Sequence, residues 1–223
     1  MENIQKNREL ILSKINETHK ASLFSRKKLP KLVAVSKKQE DSKVDKALAS
    51  GQKIFGENRV KEATNRWKKR LEIHKDLELR LIGPLQTNKV KQSLDLFDVV
   101  ETIDREKIAT EIAKKFHNKT KTKSFYIQVN TGNETQKSGI DPLLADSFIN
   151  YCIKDLNLPI VGLMCIPPIS EEPSMHFLLL QKIARRNNLT ELSMGMSSDF
   201  EDAIKFGATS VRIGSLLFGE RQV

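Results

Sequence analysis

Short apolar runs alternate with amphipathic segments along most of this chain. Eight runs are continuous rather than alternating in polarity, which is typical of strands covered on both faces. They predict strands at residues 31–36, 53–56, 77–83, 98–103, 124–130, 160–166, 191–195 and 210–214. Helical spacing predicts a first helix over residues 2–20, and further helices near 40–50, 58–71, 86–94, 105–117, 142–155, 175–187 and 199–206.

This alternation predicts parallel strands joined by helical crossovers. A closed (β/α)8 barrel of the TIM type accommodates all eight strands and leaves no sheet edge exposed. An open doubly wound sheet is the alternative, but no GxGxxG motif follows the first strand. Because no low-complexity tract or linker divides the chain, we expect residues 1–223 to form a single α/β domain with an extra N-terminal helix.

Composition narrows the class of partner. The 223 residues carry a formal net charge of +10, yet the lysines are interspersed with glutamates along predicted helices. This pattern favours a solvated surface over a nucleic-acid interface. The sequence shows no apolar run of signal-peptide or bilayer-spanning length, and its two cysteines and four histidines lack metal-ligand spacing. We therefore expect a cytoplasmic protein that binds no metal, membrane or nucleic acid.

Residues 192–221 are the most informative segment. They predict a strand, a polar turn, a short helix, a second strand and a glycine turn. The turns begin at Gly195 and at Gly214-Ser215, and the first contains Ser197. Backbone N–H groups at such strand ends can surround a phosphate, and the loops after the last two strands are the usual phosphate site of a (β/α)8 barrel. The segment predicts a phosphorylated ligand.

Lys37 follows the first predicted strand, where its side chain would reach the mouth of the barrel. An uncharged lysine amine can attack a carbonyl and form a Schiff base. A surface lysine is the alternative, since the chain has many. Lys38 is the weaker candidate because neighbouring side chains of a strand face opposite ways.

Three further residues have both a structural and a functional interpretation. Asn58 follows the second strand and could cap the next helix or bond a ligand through its amide. Met164 could pack against a ligand ring or lie in the core. Arg212 lies in the last strand and could face a ring nitrogen or a phosphate, or form a buried ion pair with a carboxylate such as Glu220.

Six segments in order resemble the pyridoxal phosphate homeostasis protein family. They are VAVSK, FGENRVKEA, IGPLQTNKVK, QVN followed by KSGI, GLMCIPP, and LSMGMSSDFEDAIKFGATSVRIGSLLFGER. Together they extend over almost the whole chain, and the last is long and specific. The family is similar to the barrel domain of alanine racemase and other fold-type III pyridoxal phosphate enzymes.

The resemblance implies a role for each matching residue. Lys37 would form the Schiff base with the cofactor aldehyde, and Arg212 would face the pyridine nitrogen. Ser197, Gly214 and Ser215 would hold the phosphate.

Asn58 and Met164 would line the ring. One position departs from the pattern: Pro84 stands where the family commonly has histidine, in the motif here written IGPLQ. No role of that histidine carries over to this chain.

The resemblance implies a monomeric protein that holds pyridoxal 5'-phosphate reversibly and supplies it to apoenzymes, without catalytic turnover. Arg212 would leave the pyridine nitrogen unprotonated, which makes the ring a weaker electron sink. Racemisation needs acid–base groups on both ring faces. In racemases the second group comes from a β-rich domain, which the resemblance implies is missing here, or from a partner subunit. A small amino-acid racemase using the same site remains an alternative. A Schiff-base aldolase acting on a sugar phosphate and a basic nucleic-acid-binding module are further alternatives.

Overall fold

A computed structural model of the chain describes residues 3–24 and 28–220. Its eight strands form a closed parallel barrel in sequence order, and β8 pairs with β1 from Lys31–Ser210 to Ala34–Ile213. The strands are β1 (Lys31–Val35), β2 (Ile54–Glu57), β3 (Glu78–Leu81), β4 (Val99–Ile103), β5 (Ser124–Gln128), β6 (Ile160–Met164), β7 (Glu191–Ser193) and β8 (Ser210–Ile213). The (β/α)8 prediction is confirmed, and the open-sheet alternative is wrong.

Helices surround the barrel and cover the outer face of its strands. They are α1 (Ile4–Ala21), α2 (Asp41–Ala49), α3 (Val60–Ile73), α4 (Val90–Leu96), α5 (Glu106–Lys115), α6 (Ala145–Asn150), α7 (Pro173–Arg186), α8 (Phe200–Lys205) and α9 (Ser215–Phe218). Between strands and helices lies an apolar core, in which the Phe55 and Trp67 rings are 4.6 Å apart.

The predicted N-terminal helix is confirmed as α1. It begins where the Asn3 side chain accepts a hydrogen bond from the Lys6 N–H. It packs on α8 and α9, and Asn7 donates to the Leu217 carbonyl at 3.1 Å. This helix therefore supports the last two βα units from the outside.

Two predicted helices differ in detail from the structure. The prediction over 142–155 is α6 followed by a π-helical turn, Tyr151–Asp155, in which Leu156 N–H donates to the Tyr151 carbonyl. In this turn the Tyr151 hydroxyl reaches Thr110, and Cys152 is fully buried. The prediction over 86–94 is a 3-10 turn, Thr87–Lys89, that leads into α4.

Candidate active site at the carboxyl ends of the strands

Six of the seven predicted site residues line one cavity of about 490 Å³ at the carboxyl ends of β1, β2, β7 and β8. They are Lys37, Asn58, Ser197, Arg212, Gly214 and Ser215. Barrel closure explains why residues from both ends of the chain meet, because β1 and β8 are neighbours.

Lys37 is half-buried in the turn between β1 and α2. Arg66 of α3 binds the backbone on both sides of it. Its Nη1 donates to the Ser36 carbonyl at 2.6 Å, and its Nη2 donates to the Gln39 carbonyl at 2.5 Å. Lys38 lies within this clasp in the left-handed conformation, with φ of 57°. Arg66 thus fixes the turn that carries Lys37.

Glu57 anchors the clasp from inside the protein. Its fully buried Oε1 accepts hydrogen bonds from Ser36 Oγ at 2.7 Å, Trp67 Nε1 at 3.0 Å and Arg66 Nη1 at 3.1 Å. A buried carboxylate needs such charge-assisted bonds to offset desolvation. Sequence reasoning missed this role: Glu57 was visible only as a polar residue at a strand end, and Arg66 only as one basic residue of a helix.

The polar turns after β7 and β8 meet, as the sequence predicts. Gly195 adopts φ of 92°, and Asp199 Oδ1 accepts a hydrogen bond from Met196 N–H at 2.6 Å. Burial raises the pKa of Asp199 from its ordinary value, although Met196 and Arg212 oppose the shift. Ser197 Oγ accepts a hydrogen bond from Leu216 N–H at 3.4 Å and so joins the two turns.

Arg212 is 4% exposed and points into the barrel mouth. Its Nη1 donates to Ser193 Oγ at 2.7 Å, and its Nη2 donates to the Cys165 carbonyl at 2.7 Å. Both acceptors are uncharged, so these bonds are not the ion pair offered as an alternative. Glu220, the suggested partner, lines the same cavity.

Asn58 does not cap α3, because Arg59 occupies the cap position. The interpretation of Asn58 as the helix cap is wrong: α3 begins at Val60, two residues after the predicted start at residue 58. The Asn58 side-chain oxygen, Oδ1, is buried and, among the described residues, has no hydrogen-bond partner. Leaving a buried amide oxygen unpaired costs free energy, and a ligand in the cavity could remove that cost by donating to it.

Met164 lies apart from the other six. It is fully buried inside the barrel, where it packs with Val99 and Tyr126, and it is not among the residues lining the cavity. Ile82 and Ile166 supply apolar lining instead. Each is the last apolar residue before a glycine or proline turn, a signal that sequence reasoning did not use.

Pro84 is exposed beside the site and lines two adjoining cavities of about 710 and 280 Å³. Asn58 also lines both. A proline side chain has no hydrogen-bond donor or acceptor, so it offers a ligand only an apolar surface.

A larger cavity, of about 730 Å³, lies at the opposite end of the barrel. Several of its charged groups already have ion-pair partners. Glu78 binds Arg80 and lies 3.6 Å from the Lys31 ammonium, and Asp98 binds Lys121. Size alone does not indicate a site here, because the residues with Schiff-base and phosphate chemistry line the other mouth.

The described ranges 3–24 and 28–220 contain no cluster of three or more histidine, cysteine or acidic residues suited to a metal ion. None of their helices combines the length and the apolar character needed to cross a bilayer.

Known proteins are similar to this chain in sequence. Residues 18–222 match the family described as alanine racemase, N-terminal domain. Pyridoxal phosphate homeostasis protein from Aquifex aeolicus is 38% identical over 201 residues, which cover 86% of this chain and 87% of that protein. The Escherichia coli K12 protein of the same name is 36% identical over 199 residues, 85% of each chain.

Solved structures of related proteins are similar to the structure of this chain. PipY of Synechococcus elongatus, solved without PLP, is 29% identical, with a TM-score of 0.82 over 97% of this chain and all of that one. Its PLP-bound structure has a TM-score of 0.77 at 28% identity and the same coverage. Alanine racemase of Corynebacterium glutamicum, at 15% identity, shares the fold with a TM-score of 0.71, and 61% of that chain is covered. The chain therefore belongs to the pyridoxal phosphate homeostasis protein family, built on the barrel of the alanine racemase N-terminal domain.

Proposed function

We propose that this protein binds pyridoxal 5'-phosphate as a reversible Schiff base on Lys37 and contributes to the homeostasis of that cofactor. One observation carries the proposal: Lys37, Arg212 and the two polar turns line a single cavity. Relatives that carry the homeostasis name, and the PLP-bound structure of PipY, support it. We further propose a single-domain, monomeric, cytoplasmic protein that supplies the cofactor to apoenzymes.

The residues present fit this cofactor. A ring nitrogen needs a donor, which Arg212 offers, and a phosphate needs the hydroxyl and N–H groups that Ser197, Gly214 and Ser215 bring together. The unpartnered Asn58 Oδ1 provides an acceptor for a ring substituent. When bound, pyridoxal phosphate supplies an aldehyde and a conjugated ring.

Lys37 would provide the covalent link. Its nitrogen would form a double bond to the aldehyde carbon, and the carbonyl oxygen would leave as water together with the two protons of the amine. Hydrolysis restores the amine and the aldehyde, so the cofactor can be released intact. The Arg66 clasp holds the backbone on both sides of this lysine and would limit the entropy lost when the bond forms.

Arg212 would set the electronic character of the bound ring. A guanidinium keeps its protons, so it presents a donor and leaves the ring nitrogen unprotonated. An unprotonated ring stabilises a neighbouring carbanion weakly. The arrangement therefore suits storage and release of the cofactor better than broad amino-acid chemistry.

A small amino-acid racemase is the second candidate. It needs two acid–base groups, one on each ring face. Lys37 would be one, and Glu220, the carboxylate that lines the cavity, is the group to test as the other. Incubating the loaded protein with single enantiomers of many amino acids separates the candidates: turnover well above that of free pyridoxal phosphate would establish the racemase.

Cofactor titration of Lys37→Ala tests the binding proposal. The wild-type protein should develop the absorbance band of a lysine Schiff base, and the variant should not. Lys38→Ala is the matched control, since that side chain is an exposed neighbour in the same turn. Retention of the band in Lys37→Ala would overturn the lysine assignment. Transfer is tested separately, by whether loaded protein activates a cofactor-free enzyme in the presence of a trap for free aldehyde.

A further inference from the structure

A network of buried polar groups, here called the polar network, crosses the interior of the barrel and ends at the cavity. Arg80 of β3 donates to Glu101 of β4 at 2.8 Å, and the other oxygen of Glu101 lies 2.5 Å from Ser193 Oγ of β7. Ser193 Oγ in turn accepts from Arg212 at 2.7 Å. Each of the four residues is at most 4% exposed.

The direction of every hydrogen bond in the polar network follows from which of its groups can donate and which can accept. Both guanidinium groups can only donate, so Ser193 Oγ accepts from Arg212 and its single proton points at Glu101. Glu101 then accepts on both oxygens, from Ser193 and from Arg80. A carboxylate accepts at both positions, whereas an amide would have to donate to Ser193 and would no longer hold the Ser193 proton in place.

Charge balance leads to the same residue. The two hydrogen-bond acceptors that the Arg212 guanidinium contacts, Ser193 Oγ and the Cys165 carbonyl, are neutral. The polar network connects this guanidinium to the carboxylate of Glu101, and Asp199 also interacts electrostatically with Arg212. Arg80 has a second carboxylate partner in Glu78, so Glu101 is not the only group that balances the positive charge of Arg80. A buried arginine needs such compensation.

We propose that Glu101 is a positioning residue that acts through Ser193 to orient Arg212 toward the bound ring. The inference rests on the proposed cofactor site and extends it to a residue on the far side of the barrel interior. Glu101 contacts no ligand in this scheme. It fixes the Ser193 proton, and the fixed hydroxyl fixes one arm of the guanidinium fork.

Two variants interrupt the polar network at different points. Ser193→Ala removes the linking hydroxyl with little change in volume, and Glu101→Gln keeps the shape but reverses one hydrogen bond. Glu78→Gln is the matched control, because it removes a carboxylate from Arg80 without touching Ser193. Cofactor titration gives the affinity and the position of the absorbance band, and thermal unfolding without cofactor reports folding.

We expect Ser193→Ala and Glu101→Gln each to weaken pyridoxal phosphate binding about tenfold and to shift the bound band, since a hydrogen bond to a charged group is lost. Glu78→Gln should bind within twofold of wild type and keep its band. In an Arg212→Leu background, Ser193→Ala should change the affinity less than twofold, because coupled residues are not additive.

A folded Ser193→Ala protein with wild-type affinity and spectrum would overturn the inference, as would an undiminished effect of Ser193→Ala in the Arg212→Leu background. If Glu101→Gln fails to fold, Ser193→Ala alone decides. Failure of the proposed function has a different signature: the wild-type protein itself would show no band that depends on Lys37.

Discussion

The Ser197 hydroxyl accepts a hydrogen bond from the backbone N–H of Leu216 at 3.4 Å. This contact links the turn after β7 to the first turn of α9, across the whole of α8 in sequence. The bond is long, and Ser197 also lines the cavity. Its hydroxyl therefore retains the capacity to donate to an anion, which makes the joined turns the natural seat for a phosphate group.

Ser197→Ala should weaken binding of pyridoxal phosphate about tenfold, because a hydrogen bond to a charged group is lost. Binding of pyridoxal, which has no phosphate, should change by less than twofold. Equilibrium titrations with both ligands measure the two effects. Ser13→Ala, in an exposed turn of α1, is the control. An equal loss for both ligands would mean that Ser197 does not contact the phosphate.

Arg66→Ala should lower the free energy of unfolding by about 3 kcal/mol, because it leaves the buried Glu57 carboxylate without its charged partner. It also frees the carbonyls beside Lys37 and should weaken cofactor binding. Arg70→Ala is matched, since its side chain is also 17% exposed and binds exposed carboxylates. That variant should lose less than about 1 kcal/mol. Similar denaturant midpoints for the two variants would contradict the clasp.

Gly195→Ala should be more damaging than Gly207→Ala, although both glycines have positive φ, 92° and 88°. A Cβ at Gly195 would lie 2.6 Å from the Ala203 Cβ, whereas at Gly207 the nearest atom is 3.5 Å away. Gly207→Ala should cost about 1 kcal/mol of backbone strain, and Gly195→Ala that amount plus the steric clash. Chemical denaturation measures both. Equal stabilities would show that the turn relaxes freely.

The two thiols should be inert in the folded protein. Burial raises the pKa of both Cys152 and Cys165 to about 12. At pH 8 only about one thiol in 10⁴ would then be ionised, and the thiolate is the reactive form. A chromogenic disulfide reagent should react with neither thiol in the native state and with both after denaturation. Rapid native labelling of either thiol would argue against this burial.

Much of the fold could be predicted because each signal is local. A parallel barrel strand such as β6 is an apolar run, and the turns at Gly195 and Gly214 are marked by residue type. Seven of the eight strands are shorter than predicted, most of them because ladder pairing ends before the polar turn begins, whereas β2 keeps its predicted length of four residues. The order of the strands follows from the short right-handed crossovers of a closed barrel, which place consecutive strands side by side.

What sequence could not provide is side-chain direction and contact between distant elements. Met164 belongs to a predicted strand, but only the tilt of that strand in the closed barrel decides that it faces the interior rather than the cavity. Glu57 and Arg66 come from different elements, and so do Glu101 and Arg212, which are linked through Ser193. These contacts depend on packing and carry no local signal.

The most direct test of the account is borohydride reduction of the protein loaded with pyridoxal phosphate, followed by peptide mapping. Reduction makes the link permanent, so mass spectrometry identifies the lysine that carries the cofactor. We expect one modified residue, Lys37. Modification spread over surface lysines, or concentrated on a lysine outside the β1–α2 turn, would contradict it.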